Sequence, residues 1–266
     1  MADNLIVETR NGVGIILLNR PEIRNAFDDA LIANLAKVLK KLEKDPGVRV
    51  VVLGGAGPTF CAGADLNWMK QAAAYTAEET QRDAVQLAGM LRLLNDMKKP
   101  TVARVQGPAY GGGVGLVAAC DIALAAFDAQ FALTEVRLGI VPAVISPYVL
   151  ASIGERKARR YMLTAERFSA AEAYRIGLVH EIVPGEAELD EAVGEIVDAL
   201  LANGPVALGE CKSLIKAVAN RPITQDVIID TARRIARVRA SAEGKEGMAA
   251  FLEKRKPNWV SSFGGG

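Results

Sequence analysis

The sequence predicts an α/β fold in which strands and helices alternate up to about residue 140 and a helical part follows. Two observations predict it. Short apolar runs with strand character alternate with segments of helical period in the first half. Mainly helical segments, the last of them separated by Pro205 and Pro222, follow in the second. The 266 residues suffice for one large domain, or for one domain with a small appendage.

Five apolar runs in the first half are expected to be strands: Val13–Leu18, 48–53, Thr101–Val105, Ile122–Ala126 and 131–133. A helix is expected between the first two, because one apolar stripe recurs there at helical spacing, formed by Leu31, Leu35, Val38 and Leu42. Asp28 can cap that helix, and Asp45-Pro46-Gly47 ends it. A second helix is expected over 114–120.

The second half is expected to be helical. Ser169 and Glu172 fit a capping box, and Gly177 fits the end of the helix that it starts. Further helices are expected over 190–201, 206–218 and 224–238. His180, the only histidine, lies in an alternating segment and is expected to be structural. The final Gly264-Gly265-Gly266 is expected to be a frayed tail.

Composition excludes several classes of function. The net charge of +1 gives no electrostatic case for binding nucleic acid or an anionic membrane. No apolar run reaches the ~18 residues that a membrane span needs, and no leader precedes the first strand-like residues. We therefore expect a cytoplasmic protein. The three cysteines are widely spaced and, with a single histidine, predict neither disulfides nor a metal site.

Three consecutive glycines, 111–113, stand where an expected strand gives way to an expected helix. Glycines let the backbone approach a ligand, and a helix start offers unpaired N–H groups to negative charge. The spacing matches neither a dinucleotide fingerprint nor a phosphate-binding P-loop. The turn therefore either holds a resting or developing anion, or only packs beneath a helix.

A second loop of small residues, 60–66, follows the strand expected at 48–53. It is either a glycine turn in which Asp65 caps a helix, or a second source of exposed backbone amides. Two loops from separate strands can aim two N–H groups at one oxygen. That is the layout of an oxyanion hole.

In order along almost the whole chain, the sequence resembles the crotonase, or enoyl-CoA hydratase/isomerase, family. The segments that carry the resemblance are 19–21 with 25–26, 62–66, 111–113, 119–122, 135–142, 171–173 with 177–179, and 246–255. The resemblance implies a spiral of ββα repeats over residues 1–200, holding the active site. It further implies a C-terminal helical region, 201–266, that contacts CoA and joins subunits into a homotrimer or a dimer of trimers.

The resemblance implies an acyl-CoA substrate and no separate cofactor, because CoA is part of that substrate. The N–H groups of Ala62 and Gly112 would hold the thioester oxygen, where an enolate-like anion develops, and Glu135 would transfer protons. The apolar stretch after Glu135 would raise its pKa. Substrate or CoA contacts are assigned to Arg24, Ala26, Ala64, Asp65, Leu66, Gly111, Gly115, Phe251 and Lys254. Arg24 and Lys254 can equally be ordinary surface charges.

Gly115 departs from the family pattern, because hydratases carry a glutamate there. One acid suffices for isomerisation, so an isomerase competes with a hydratase. The segments 60–70 and 141–148 resemble bacterial methylglutaconyl-CoA and isohexenylglutaconyl (carboxygeranoyl) CoA hydratases, which share the glycine. We therefore expect hydration of a branched 2-enoyl-CoA, in leucine or acyclic-terpene breakdown, with Gly115 leaving room for the branch. A CoA-thioester-binding protein without catalysis is the third alternative.

Overall fold

A computed structural model describes residues 4–261 of the chain. Its strands are β1 Leu5–Arg10, β2 Val13–Leu18, β3 Val50–Gly55, β4 Thr101–Val105, β5 Ala109–Tyr110, β6 Ile122–Ala126, β7 Gln130–Ala132, β8 Phe168–Ser169 and β9 Glu181–Val183. Its α-helices are α1 Asp29–Lys44, α2 Leu66–Ala72, α3 Ala77–Asp96, α4 Gly112–Ala119, α5 Ser146–Thr164, α6 Ala170–Ile176, α7 Glu186–Leu201, α8 Pro205–Val218, α9 Gln225–Ala240, α10 Ala242–Leu252 and α11 Asn258–Ser261. Two 3₁₀ helices, Pro21–Ile23 and Glu135–Leu138, complete the described elements.

The nine described strands form two separate sheets, one of six strands and one of three. The larger has the order β1-β2-β3-β4-β6-β9, in which β1 is antiparallel to β2 and every later pair is parallel. The smaller has the order β5-β7-β8. The consecutive pairs β4–β5 and β6–β7 each place their first strand in the larger sheet and their second in the smaller one. With α4 between those pairs, this is the repeating ββα arrangement that the resemblance implies.

Both faces of the larger sheet are buried at its central strands β3, β4 and β6, which is why these strands are almost continuously apolar. Along β3 the side chains alternate: Val51 and Leu53 join the main core with α1 and α3, whereas Val50 and Val52 pack in a second core beneath α7. The carboxyl ends of the parallel strands β3 and β4 lie at one edge of the sheet. The two loops singled out by the sequence leave from that edge.

The elements with strong periodicity form as predicted. Asp28 caps α1 by accepting the Leu31 N–H at 2.8 Å. The expected strand at 48–53 is shifted to Val50–Gly55. The strand β1 and the long helices α3 and α5 were not predicted. Only three residues of α3 are buried, all near its C-terminal end, and α5 is interrupted by Gly154 at a φ of 74°. Both features obscure a helical pattern.

The capping box at α6 forms only in half. Ser169 accepts the Glu172 N–H at 3.3 Å, and Gly177 ends the helix in the left-handed region, as predicted. The Glu172 carboxylate instead accepts from Arg175 and from the Tyr161 hydroxyl. Hydrogen bonds from Arg175 and Tyr161 lower the pKa of Glu172 to about 2, because they stabilise its charged form.

His180 has a structural role, as expected. Its imidazole Nδ1 accepts the Ala123 N–H at 3.1 Å, and its backbone N–H donates to the Ala123 carbonyl at 2.7 Å. These two hydrogen bonds join β6 to the segment before β9. The predicted helices 190–201, 206–218 and 224–238 correspond to α7, α8 and α9 within a few residues. The predicted tail, 264–266, lies outside the described residues.

Within residues 4–261 no single helix is long and apolar enough to cross a membrane. Only α7 and α8 taken together, with a bend of 101° between them, have the required length and composition.

Candidate active site

The loops that follow β3 and β4 run side by side. Cys61 forms a parallel bridge with Ala109, in which the Tyr110 N–H donates to the Cys61 carbonyl at 2.9 Å. Further along, a Cβ placed on Gly63 would lie 3.0 Å from the Tyr110 carbonyl oxygen. Phe27 links the far ends of the two loops, since it forms a parallel bridge with Ala64 and its ring lies 2.7 Å from the position of a Cβ on Gly112. The sequence therefore correctly predicted that separate strands bring these two loops together.

The structure corrects one member of the predicted pair of amides. The Ala62 N–H donates to the Arg24 carbonyl at 2.9 Å, so it is already committed within the fold. The assignment of Ala62 as an oxyanion donor is therefore wrong. Among the described residues, the N–H groups of Ala64 and Gly112 have no acceptor. The sequence motif identifies the loop but does not tell which of its backbone N–H groups form hydrogen bonds within the fold.

A carboxylate covers the start of α4. Glu135 begins the 3₁₀ helix Glu135–Leu138, and its Oε1 lies 3.1 Å from the point where a Cβ on Gly111 would stand. Gly111 has φ 50° and ψ −116°, a conformation that favours glycine, and the missing side chain leaves the space that the carboxylate uses. Burial raises the pKa of Glu135, and its Oε2 is buried without a partner among the described residues.

The structure also corrects the interpretation of Gly115. A Cβ on this residue would lie 2.3 Å from Ile145 Cγ2 and 2.9 Å from Ile145 Cβ. The missing side chain therefore leaves no room for a substrate branch, because Ile145 already fills that space. The contact joins α4 to the residue that precedes α5, and spacing along the chain gives no signal for it.

Arg20 holds the site together, a role that sequence analysis missed. Its guanidinium donates to the Ala26 carbonyl at 2.8 Å and pairs with Asp28 at 2.8 Å and Asp65 at 3.1 Å. Asn25, buried nearby, donates to the carbonyls of Ala56 and Thr59. The only sequence signal for this role was that Arg20 and Asn25 lie in the segments 19–21 and 25–26, which carry the resemblance to the family.

Asp65 and Ala26 belong to this scaffold. Asp65 caps α2 by accepting the N–H groups of Asn67 and Trp68, and its own N–H donates to the Phe27 carbonyl. That is the helix-cap alternative weighed for this loop. Ala26 is buried, and its N–H donates to the Ile23 carbonyl. The polar groups of both residues are engaged within the protein, so a ligand could meet them only by packing, and their predicted contacts stay predictions.

Arg24 and Leu66 remain available at the rim of the site. The Arg24 backbone contacts the loop through Ala62, and its side chain is exposed. Leu66 starts α2 directly after the scaffold residue Asp65, with 74% of its surface exposed. An exposed cation and an exposed apolar side chain flanking free amides suit a phosphorylated, partly flat ligand, so the CoA contacts predicted for Arg24, Ala64 and Leu66 stay as predictions.

Phe251 and Lys254 are not brought to this site within one chain. Both are exposed, at the end of α10. The adjacent Trp259 accepts through its carbonyl from Arg49, which directly precedes β3, and donates from its indole to the Ala202 carbonyl. This end of the chain therefore packs at the amino edge of the sheet, whereas the two loops leave from the carboxyl edge.

The chemistry available is proton transfer beside a developing anion. Burial raises the pKa of the Cys61 thiol to about 12, so it is no nucleophile at neutral pH. No cluster of three or more histidine, cysteine or carboxylate side chains in residues 4–261 could hold a metal ion. What the site offers is one half-buried carboxylate and two unpaired amides on adjacent loops.

Comparison with known proteins gives one consistent result. Residues 8–262 match the family model described as Enoyl-CoA hydratase/isomerase. A crystal structure of an enoyl-CoA hydratase from Shewanella pealeana is 42% identical, with a TM-score of 0.94 and coverage of 96% of each chain. The Pseudomonas aeruginosa AtuE structure is 40% identical, with a TM-score of 0.93 and coverage of 97% of this chain and 100% of that one. A crotonyl-CoA hydratase from Syntrophomonas wolfei is 35% identical over 266 residues, covering 97% of this chain and 98% of its own.

Proposed function

The chain belongs to the enoyl-CoA hydratase/isomerase family, and from that premise we propose that it hydrates a branched 2-enoyl-CoA thioester to the 3-hydroxyacyl-CoA. The observation that carries the proposal is the half-buried Glu135 carboxylate over Gly111, beside the unpaired N–H groups of Ala64 and Gly112. A lone proton carrier next to two unused donors matches a reaction in which a proton moves while a thioester oxygen gains charge.

In the proposed mechanism, the thioester oxygen accepts hydrogen bonds from the N–H groups of Ala64 and Gly112. The ionised Glu135 takes a proton from water as the water oxygen bonds to the β carbon, and the electron pair of the double bond moves onto the thioester as an enolate. Glu135 then returns the proton to the α carbon. The elements of water are added, the carboxylate is regenerated and no cofactor is consumed. Each amide donor contributes about 3 kcal/mol to stabilising the enolate.

The branched substrate, 3-methylglutaconyl-CoA or a longer relative, is supported by two features. The segments 60–70 and 141–148 resemble the bacterial hydratases of such substrates, and those hydratases share the glycine that stands at position 115 in place of the second acid. Because Ile145 fills the space at Gly115, the branch must be accommodated elsewhere in the site. A carboxylate carried by the substrate itself can help to orient the attacking water.

The test is turnover of 3-methylglutaconyl-CoA in water enriched with ¹⁸O. We expect a 3-hydroxyacyl-CoA that carries one heavy oxygen, detected by mass spectrometry, and slower turnover of unbranched crotonyl-CoA. Product without the label would overturn the assignment as a hydratase. Preference for the unbranched substrate would overturn the assignment of a branched substrate.

An isomerase is the second candidate, and the single carboxylate favours it. One base can remove a proton from one carbon and return it to another without water. Incubation with a 3-enoyl-CoA distinguishes the two, because an isomerase moves the double bond and leaves no heavy oxygen in the product. Binding of CoA esters without turnover of any enoyl-CoA would instead support the non-catalytic alternative.

A further inference from the structure

Gly111 and Gly115 lie four residues apart, the first at the N-cap of α4 and the second in its first turn. The Gly115 N–H donates to the Gly111 carbonyl at 3.2 Å, and four residues of helix rise by about 6 Å. Each of the two missing side chains is replaced by a group from another segment: Glu135 covers Gly111, and Ile145 covers Gly115. Glu135 and Ile145 therefore both pack against the amino-terminal end of α4.

Ile145 cannot move aside by a change of rotamer. Its Cγ2 lies 2.3 Å, and its Cβ 2.9 Å, from the Cβ position of residue 115, and rotation about χ1 does not move the Cβ. Its carbonyl accepts the N–H groups of Tyr148 and Val149, which fixes the backbone at the start of α5. Ile145 is 3% exposed and belongs to the main core. Leu91 of α3 closes the same space, 3.8 Å from that Cβ position.

We propose that Ile145 is a specificity-determining residue, which excludes a second acid from position 115 and keeps one flank of the Glu135 carboxyl group apolar. The inference rests on the proposed function, since it explains why one carboxylate must carry all proton transfer. It reverses the initial interpretation of Gly115. The absent side chain at position 115 is matched by a large one on a neighbouring segment. Burial of Glu135 and its unpartnered Oε2 agree with this arrangement.

The packing part is tested by a double-mutant cycle on thermal unfolding, which does not depend on any substrate. Gly115→Ala forces a Cβ onto Ile145, and Ile145→Gly removes the obstacle at the cost of a cavity. We expect each single variant to melt at a lower temperature and the double variant to melt higher than the sum of the two losses predicts. Additive losses would overturn the inference.

The chemical part is tested by the pH dependence of kcat/KM. Ile145→Ala admits water beside Glu135, so the limb on the acid side should move to lower pH, and Ile145→Val should move it less. Ile153→Ala, which truncates another buried isoleucine on α5, is the matched control and should leave the limb in place. An unmoved limb in Ile145→Ala, or an equal shift in the control, would contradict a specific role for Ile145.

The exclusion of a second acid is tested by the pair Gly115→Glu and Gly115→Glu with Ile145→Gly. We expect the single variant to be poorly folded and the double variant to hydrate crotonyl-CoA at least ~10-fold faster than Ile145→Gly alone, because a second acid then reaches the site. No gain in a folded double variant would overturn this part. Absence of ¹⁸O incorporation by the parent protein would reject the proposed function, while the unfolding cycle would still decide the packing of Ile145.

Discussion

Glu135 combines three properties at the scale of a single residue. Its carboxyl group is half-buried, one oxygen lacks a partner among the described residues, and it stands over a glycine at the start of a helix. Desolvation makes ionisation harder, so the carboxylate binds a proton more readily than an exposed glutamate does. These properties suit a group that must accept and return a proton in each turnover.

We expect Glu135→Gln to lower kcat by ~10²–10⁴-fold, because the amide keeps the shape of the side chain but cannot carry the proton. The affinity for CoA, measured by calorimetry, should change little. Turnover near that of the parent protein would remove Glu135 from the mechanism.

The same residue sets an expected pH dependence. The reaction starts from the ionised carboxylate, whose pKa is raised by burial, so activity should fall as the pH drops through that raised value. Measuring kcat/KM from pH 4 to 8 should give a single limb on the acid side, above the pH at which an ordinary glutamate titrates. A profile that is flat to pH 4 would contradict this assignment.

Helix α2 shows how an element positions the site. Its cap, Asp65, also pairs with Arg20, and both interactions lie next to the free amide of Ala64. Asp65→Ala should destabilise the protein by about 1–2 kcal/mol, since it removes the cap and leaves the partly buried guanidinium of Arg20 short of a partner. Asp65→Asn, which caps equally well, should recover most of the loss. Urea denaturation measures both, and equal losses would show that the cap contributes little.

Two carboxylates, Asp29 of α1 and Asp83 of α3, lie close together, so the free energy of unfolding depends on pH. Burial and the nearby charge of Asp29 raise the pKa of Asp83 from 3.8 to about 6. The folded state therefore binds a proton more tightly than the unfolded state does, and the associated stability is present below pH 3.8 and lost as the pH rises through 6. Asp83→Asn should raise the melting temperature at pH 8 and have little effect at pH 4. Asp29→Asn should act in the same direction, and the two gains should not add.

At the scale of the whole molecule, the C-terminal end lies at the sheet edge opposite to the two loops. If Phe251 and Lys254 contact CoA, as the resemblance implies, they must do so in a neighbouring subunit. We therefore propose a trimer or a dimer of trimers, which light scattering after size-exclusion chromatography measures directly. A monomer would leave the tail without a role in CoA binding.

Subunit mixing tests the same point through activity. Lys254→Glu should raise KM for the CoA ester with little change in kcat. The new negative charge would repel the CoA phosphates, which lie far from the reacting atoms. Co-expression of Lys254→Glu chains with Glu135→Gln chains should restore sites of parental KM, since an intact tail then meets an intact acid across an interface. If the mixture has only the summed activity of the two variants, the C-terminal tail contacts CoA bound in the same subunit.

The sequence by itself determined the α/β class, the helices with regular apolar stripes and the two glycine loops. These follow from local patterns, namely periodicity, caps and glycine turns, which are encoded by residues a few positions apart. The acid, Glu135, was predicted only through the resemblance to the family. Only the tertiary structure decided that Ala64 rather than Ala62 has a free amide, that Arg20 anchors the loops and that Ile145 fills the space at Gly115. Each of these depends on which groups meet across long separations in the chain, and packing and hydrogen bonding settle that only when the whole molecule is folded.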